Sequence, residues 1–201
     1  MDKQDAIYRL ISEKFTEGKV EFTQKDIAHE LGVSLSTVNL AIKKLNSISA
    51  VKVYKKSFNV IDFGKLMIFW ATRRNLNRDI VYKTASDLPV NEIERSMPDN
   101  VAFTAYSAFK YLMGNTPADY SQVYVYADSD SLDEIRRRFP ERKGVYNLFV
   151  LSPDVHLSKS IDNKSLKNSS VSIPQMFVDL WNINNWYSKD FIDALEKRMN
   201  I

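Results

Sequence analysis

Thr23-Gln-Lys-Asp-Ile27-Ala28-His-Glu-Leu31-Gly32-Val33-Ser34-Leu35-Ser36-Thr37-Val38-Asn39-Leu40-Ala-Ile42-Lys43-Lys44-Leu45 is the most informative run of the 201-residue chain. Thr23 supplies the side-chain oxygen that a helix start needs, and Asp26 follows in the first turn, where the helix dipole favours a carboxylate. Ile27, Ala28 and Leu31 then share one helical face. Gly32 ends the helix, because a residue without Cβ enters the left-handed region at little steric cost. Ser34 caps a second helix running to about Leu45, so the spacing predicts two short helices joined by a three-residue turn.

At 100° per residue the second helix turns Val38, Ile42 and Leu45 inward and Ser36, Leu40 and Lys43 outward, with Thr37, Asn39 and Lys44 flanking the outer face. Upstream, Asp2 to Phe15 carries Ala6, Ile7, Leu10, Ile11 and Phe15 at helical spacing, and Val20 to Phe22 reads as a short strand. Downstream, Val51 to Tyr54 and Phe58 to Ile61 flank Lys55-Lys56-Ser57 and read as a hairpin, with apolar Val51 and Val53 alternating against Lys52 and Tyr54. This arrangement resembles the winged helix-turn-helix of bacterial and archaeal regulators, expected over residues 1–62. Amides and hydroxyls suit base edges, Leu40 suits a thymine methyl, and lysines suit phosphates. The expected DNA contacts are therefore Ser34, Ser36, Thr37, Asn39, Leu40, Lys43 and Lys44 on the helix, and Lys55 and Lys56 on the wing. Leu40 could instead be buried against the rest of the chain, and the two lysines could merely solubilise a turn.

Charge distribution points the same way. Residues 1–75 hold 13 basic and 8 acidic residues, whereas residues 76–201 hold 15 and 17; the segment 43–74 alone holds eight basic residues and one acid. Such a stripe is a candidate phosphate-binding surface. Absence of cysteine excludes disulfides, thiolate metal sites and cysteine nucleophiles. No signal-peptide core and no apolar run of about 18 residues is present, so a cytoplasmic protein with no membrane partner is expected. The Asn-x-Ser matches at Asn163 and Asn168 then read as chance.

Asp62 can cap a helix from Phe63 to Asn75, taken as a linking element over residues 63–77, with Trp70 in the core. Residues 78–201 predict a mixed domain: strands Ile80–Lys83, Gln122–Ala127 and Val145–Leu151; helices Val90–Met97, Thr104–Met113, Leu132–Phe139, Pro174–Trp181 and Ser188–Met199; and a polar loop or hairpin over 156–170. The class is α+β. Three segments, Thr104-Ala-Tyr-Ser-Ala-Phe-Lys-Tyr-Leu112, Val123-Tyr-Val-Tyr126 and Ile173-Pro-Gln-Met-Phe-Val-Asp-Leu-Trp181, resemble the C-terminal region of AbiEi-type antitoxins, the transcriptional regulators of type IV toxin-antitoxin systems. That resemblance implies a repressor of its own promoter, paired with a nucleotidyltransferase-like toxin. A homodimer is also compatible with it. On the last segment, Phe177, Leu180 and Trp181 are expected to be buried, with Asp179 near the edge of that face.

Catalytic signatures are sparse. Asp128 and Asp130 follow a strand and could hold magnesium, but Ser131-Leu-Asp-Glu134 has capping-box spacing and the pair reads better as favouring a helix start. His29 and His156 stand far apart without companion motifs, and no phosphate-cradling glycine loop occurs. Arg136-Arg-Arg138 reads as a salt-bridged, solvated face. No enzyme, cofactor or metal is expected. Two alternatives stay open: an effector site among Tyr106, Tyr111, Tyr124 and Tyr126, and nucleotidyl transfer at Asp128 and Asp130.

Overall fold

Capping and turn signals in the first third become elements almost residue for residue. The computed structural model describes residues 3–162 and 169–201 and has a mixed α+β architecture. Helix α1 (Lys3–Thr16) leads to β1 (Glu21–Phe22), α2 (Gln24–Leu31), α3 (Leu35–Ser47) and the antiparallel hairpin β2 (Val51–Val53) and β3 (Phe58–Val60). Thr23 accepts a hydrogen bond from Asp26 N, Gly32 adopts φ 60° and ψ 30°, and Ser34 accepts from Thr37 N. β1, β3 and β2 form one antiparallel sheet in that order. Its inner face, Phe22, Val51, Phe58 and Val60, covers the buried Ile27, Leu31, Val38, Ile42 and Leu45. Val53, which the alternation groups with the buried Val51, is exposed.

Helix α4 (Phe63–Arg73), capped by Asp62, buries Leu66, Met67, Trp70 and Ala71. A four-stranded sheet follows, ordered β4 (Ile80–Thr84), β7 (Leu148–Leu151), β6 (Val123–Ala127), β5 (Val101–Thr104). β6 and β7 are parallel and joined through α7 (Ser129–Arg138), whereas the outer pairs are antiparallel. The remaining α-helices are α5 (Val90–Arg95), α6 (Ala105–Met113), α8 (Val155–Asp162), α9 (Ile173–Trp181) and α10 (Ser188–Met199), and a 3-10 turn spans Leu76–Arg78.

Several expectations change. Val101–Thr104 forms a strand, and the chain turns directly into α6 at its first residue, Ala105, whose φ of 52° is unusual for a residue with a Cβ. The stretch expected to be a loop or hairpin over 156–170 begins as α8, because Asp154 caps it by accepting from His156 N and Leu157 N, each at 2.9 Å. Asn163 and Asn168 lie outside the described residues. The cap of α7 is Asp128, which accepts from Ser131 N at 2.8 Å, while Glu134 pairs with Arg138 rather than closing a capping box. Trp181 is 38% exposed, although Phe177 and Leu180 beside it are buried.

The core is continuous. Helix α1 packs against α2 and α3 on one side and against α4 and α9 on the other. It therefore buries polar residues as well as its apolar stripe: Asp5, Arg9 and Ser12 are all inside. Among the described residues, no helix is long and apolar enough to cross a membrane.

Candidate nucleic-acid interface

The outer face of α3 begins with a cluster of hydroxyls. Ser34 Oγ accepts from Thr37 N at 3.2 Å and lies 2.8 Å from Ser36 Oγ and 2.7 Å from Thr37 Oγ1. Ser36 and Lys43 are exposed, and Leu40 is 50% exposed, so burial against the rest of the chain does not explain that leucine. One expected member turns away. Lys44 donates to Gln4 Oε1 at 2.9 Å and is half-buried against α1, whose packing on this side of α3 captures the ammonium. Asn39 sits at the margin, its Nδ2 donating to Gln24 Oε1 at 3.1 Å.

The turn between β2 and β3 stands across a cleft from the start of α2 and from Leu35, the first residue of α3. Tyr54 N donates to Ser57 O at 2.7 Å and closes the turn, leaving Lys55 and Lys56 exposed at its tip. Thr23, Gln24, Lys25, Asp26, Leu35, Tyr54, Lys55, Lys56 and Ser57 line the cleft. Three lysines thus face one carboxylate, and Leu35 (48% exposed) and Tyr54 (47%) give the walls apolar surface. The Lys52 ammonium lies 5.7 Å from the Tyr54 ring centroid. Gln24, Lys25, Leu35, Lys52 and Tyr54 did not figure among the expected site residues. Leu35 and Tyr54 are chain neighbours of residues that did, whereas Gln24 and Lys25 join them only through the approach of α2 to the hairpin.

Not all of the basic segment contributes. The side chain of Arg74 is 1% exposed and is surrounded by acids brought from three other parts of the chain. Its Nη1 reaches Asp79 Oδ2 at 2.5 Å and lies 3.8 Å from Asp5 Oδ2, its Nε reaches Asp179 Oδ1 at 3.3 Å, and its Nη2 donates to Tyr126 Oη at 3.0 Å. Trp70 Nε1 donates to Asp5 at 3.1 Å. Asp179, fully buried rather than at the edge of α9, also accepts from Thr104 Oγ1, Tyr126 Oη and Gln175 Nε2. Gln175 Oε1 in turn accepts from Arg9 at 3.4 Å, and Arg9 Nη2 holds both Asp154 oxygens at 2.7 Å. One buried polar chain therefore ties α1, α4, β5, β6, α9 and the start of α8 together and fixes the support beneath α3.

Burial raises the Asp179 carboxyl above the usual carboxylate range, with Arg74, Thr104, Tyr126 and Gln175 opposing it. Burial acts on Arg74 in the opposite sense, lowering its pKa, but Asp179, Tyr126 and Asp79 outweigh it and hold the guanidinium above its ordinary value. At Asp154, burial is again the largest single influence and would raise the carboxyl; Arg9 and the α8 amides together overcome it, leaving the group below its ordinary range.

The residues considered for chemistry take other positions. Asp128 is occupied as a helix cap, and Asp130 is exposed next to Ser129. His29 is exposed on α2. Tyr106 packs ring to ring with Tyr120, Tyr124, Tyr187 and Phe191, and burial pushes its hydroxyl up to about 12. Tyr111 packs on Phe103, and Tyr126 belongs to the Arg74 cluster. The four tyrosines thus serve three different groups of contacts. Among the described residues, no group of three or more histidines and carboxylates is placed to hold a metal ion. Arg136 and Arg138 are exposed and pair with Asp133 and Glu134 on α7 itself.

Comparison with protein-family models, with curated proteins and with solved structures finds no match to this chain.

Proposed function

We propose that residues 1–62 act as a winged helix-turn-helix and that the protein is a sequence-specific, DNA-binding transcriptional regulator. The observation that carries this reading is the shared surface of α3 and the β2–β3 turn. A 13-residue helix exposes hydroxyls, Leu40 and Lys43 beside a cleft rimmed by Lys25, Lys55 and Lys56. B-DNA offers a major groove about 12 Å wide that admits an α-helix, with phosphates along both rims. In this reading Ser36, Thr37, Asn39, Leu40 and Lys43 face base edges, and Ser34 serves mainly as the cap that aims them. Lys25, Lys55 and Lys56 meet the backbone. Lys44, engaged with Gln4, supports the helix instead.

The reading extends to autoregulation as an antitoxin beside a nucleotidyltransferase-like toxin, in a cytoplasmic setting and without catalysis of its own. Its support there is the resemblance of residues 104–112, 123–126 and 173–181 to AbiEi-type antitoxins. Gln175 and Asp179 of the third segment have a structural task, since both lie in the buried polar chain. Selection of binding sites from random duplexes, followed by binding titrations on the recovered site and on scrambled DNA, tests the proposal. Recovery of a defined site supports it, and equal affinity for all duplexes rejects sequence reading.

A further inference from the structure

We infer that Gln24 is the positioning residue for base recognition by Asn39, and that the base read by Asn39 is adenine. This rests on the DNA-binding reading above and deepens it. The two residues belong to different helices, Gln24 opening α2 and Asn39 lying in the second turn of α3. The Asn39 Nδ2–Gln24 Oε1 bond of 3.1 Å is the side-chain contact that joins them. Both side chains are half-buried, and Gln24 also lines the cleft that faces the β2–β3 turn.

An asparagine amide can present its two ends in either of two orientations, and a free side chain on a helix surface samples both. With Gln24 Oε1 as its acceptor, Asn39 directs Nδ2 toward α2. Asn39 is then left with Oδ1 and its second N–H, for which no hydrogen-bond partner occurs among the described residues. An acceptor and a donor side by side on one planar group match the adenine edge, whose N6 amino group donates and whose N7 accepts. Guanine offers two acceptors there and repels Oδ1, and cytosine and thymine lack the paired pattern. Holding the amide in advance removes an ordering cost that would otherwise fall on binding.

Discrimination, rather than affinity, is the quantity to measure. A preferred site is first selected by the wild-type chain from random duplexes, and each base pair is then substituted in turn. Wild type is expected to favour adenine at one position by roughly 5- to 150-fold, the range of a bidentate base contact, and Asn39→Ala to abolish that preference. Gln24→Ala is expected to reduce it by about 2- to 13-fold, the equivalent of one neutral hydrogen bond, while preferences elsewhere in the site persist. Gln24→Glu keeps the acceptor, so it should retain the adenine preference while its added negative charge lowers affinity for every sequence. Gln24→Ala combined with Asn39→Ala should discriminate no worse than Asn39→Ala alone. The inference is overturned if Gln24→Ala leaves the preference intact, if the two losses multiply, if Gln24→Glu behaves as Gln24→Ala, or if Asn39 reads a different base. Failure of wild type to select any site overturns the DNA-binding reading as well, and so differs from all of these.

Discussion

Replacing Arg74 with Met removes the cation at the centre of the buried polar chain while keeping a similar apolar stem. The side chain is 1% exposed, contacts Asp79, Asp179 and Tyr126 directly, and lies 3.8 Å from Asp5. Its loss leaves three carboxylates facing one another away from water. Breaking a buried ion pair from one side costs about 3–5 kcal/mol. With an unfolding entropy of about 2.1 cal/mol/K per residue over the 201 residues, that corresponds to a fall in Tm of about 7–12 °C. The deficit should also depend on pH. Burial raises the Asp179 carboxyl in the folded state, so this group's contribution is fully present below the unfolded pKa and is lost as pH rises through the folded value. Arg74 is the largest influence opposing that rise. Without it the folded value climbs further, and the penalty at neutral pH widens. Thermal unfolding followed by circular dichroism at about pH 4.5 and about pH 8 should therefore show the variant closer to wild type in acid. Adding Asp179→Asn should restore part of the loss, because one unpaired charge is gone. A fall in Tm below about 2 °C, or an equal deficit at both pH values, would refute the reasoning.

Asp154 supplies the opposite pH signature. Its carboxyl is held below the usual range because Arg9 and the α8 amides overcome the effect of burial. Its contribution is present above the unfolded pKa and is lost as pH falls through the folded value, so Arg9→Met should lower stability by about 3 kcal/mol near neutrality and flatten the acid limb of the stability profile. Urea titrations from about pH 3 to 7 would record this, and parallel profiles for the two proteins would count against it. On the β2–β3 turn, replacing Lys55 and Lys56 together with Ala should reduce the slope of log K against log salt by about 1.8, or 0.9 per phosphate contact. An unchanged slope in fluorescence-anisotropy titrations would remove that turn from the interface.

Local chemistry carried much of the first third into structure. Thr23, Gly32, Ser34 and Asp62 are a cap, a left-handed turn and two further caps that act over three or four residues, and all four behave as their neighbours imply. Where the reading faltered, the deciding partners were distant. Lys44 has a helical-wheel position near the outer face, yet Gln4, forty residues earlier, takes its ammonium. Arg74 counted toward a basic stripe, but its carboxylates lie at positions 5, 79 and 179. The strand Val101–Thr104 went unread, with Thr104 taken as the start of the following helix, because Ala105 adopts a positive φ without the glycine that usually announces such a turn. Helix α8 did carry a local signal, since Asp154 stands three residues before Leu157 in the spacing of a cap. The surrounding serines and lysine concealed it.

In the candidate site, the outward residues of α3 followed from periodicity alone. The cleft did not, because Lys25, Leu35 and Tyr54 meet only when the sheet closes against α2. The claim that this surface reads DNA is tested most directly by titrating the full chain with duplex from immediately upstream of its own gene, alongside scrambled duplex of equal length, across a salt series. The account predicts salt-sensitive binding to both, with the native sequence preferred by at least about a thousand-fold. Equal affinities for the two duplexes, or no binding at low salt, would contradict it.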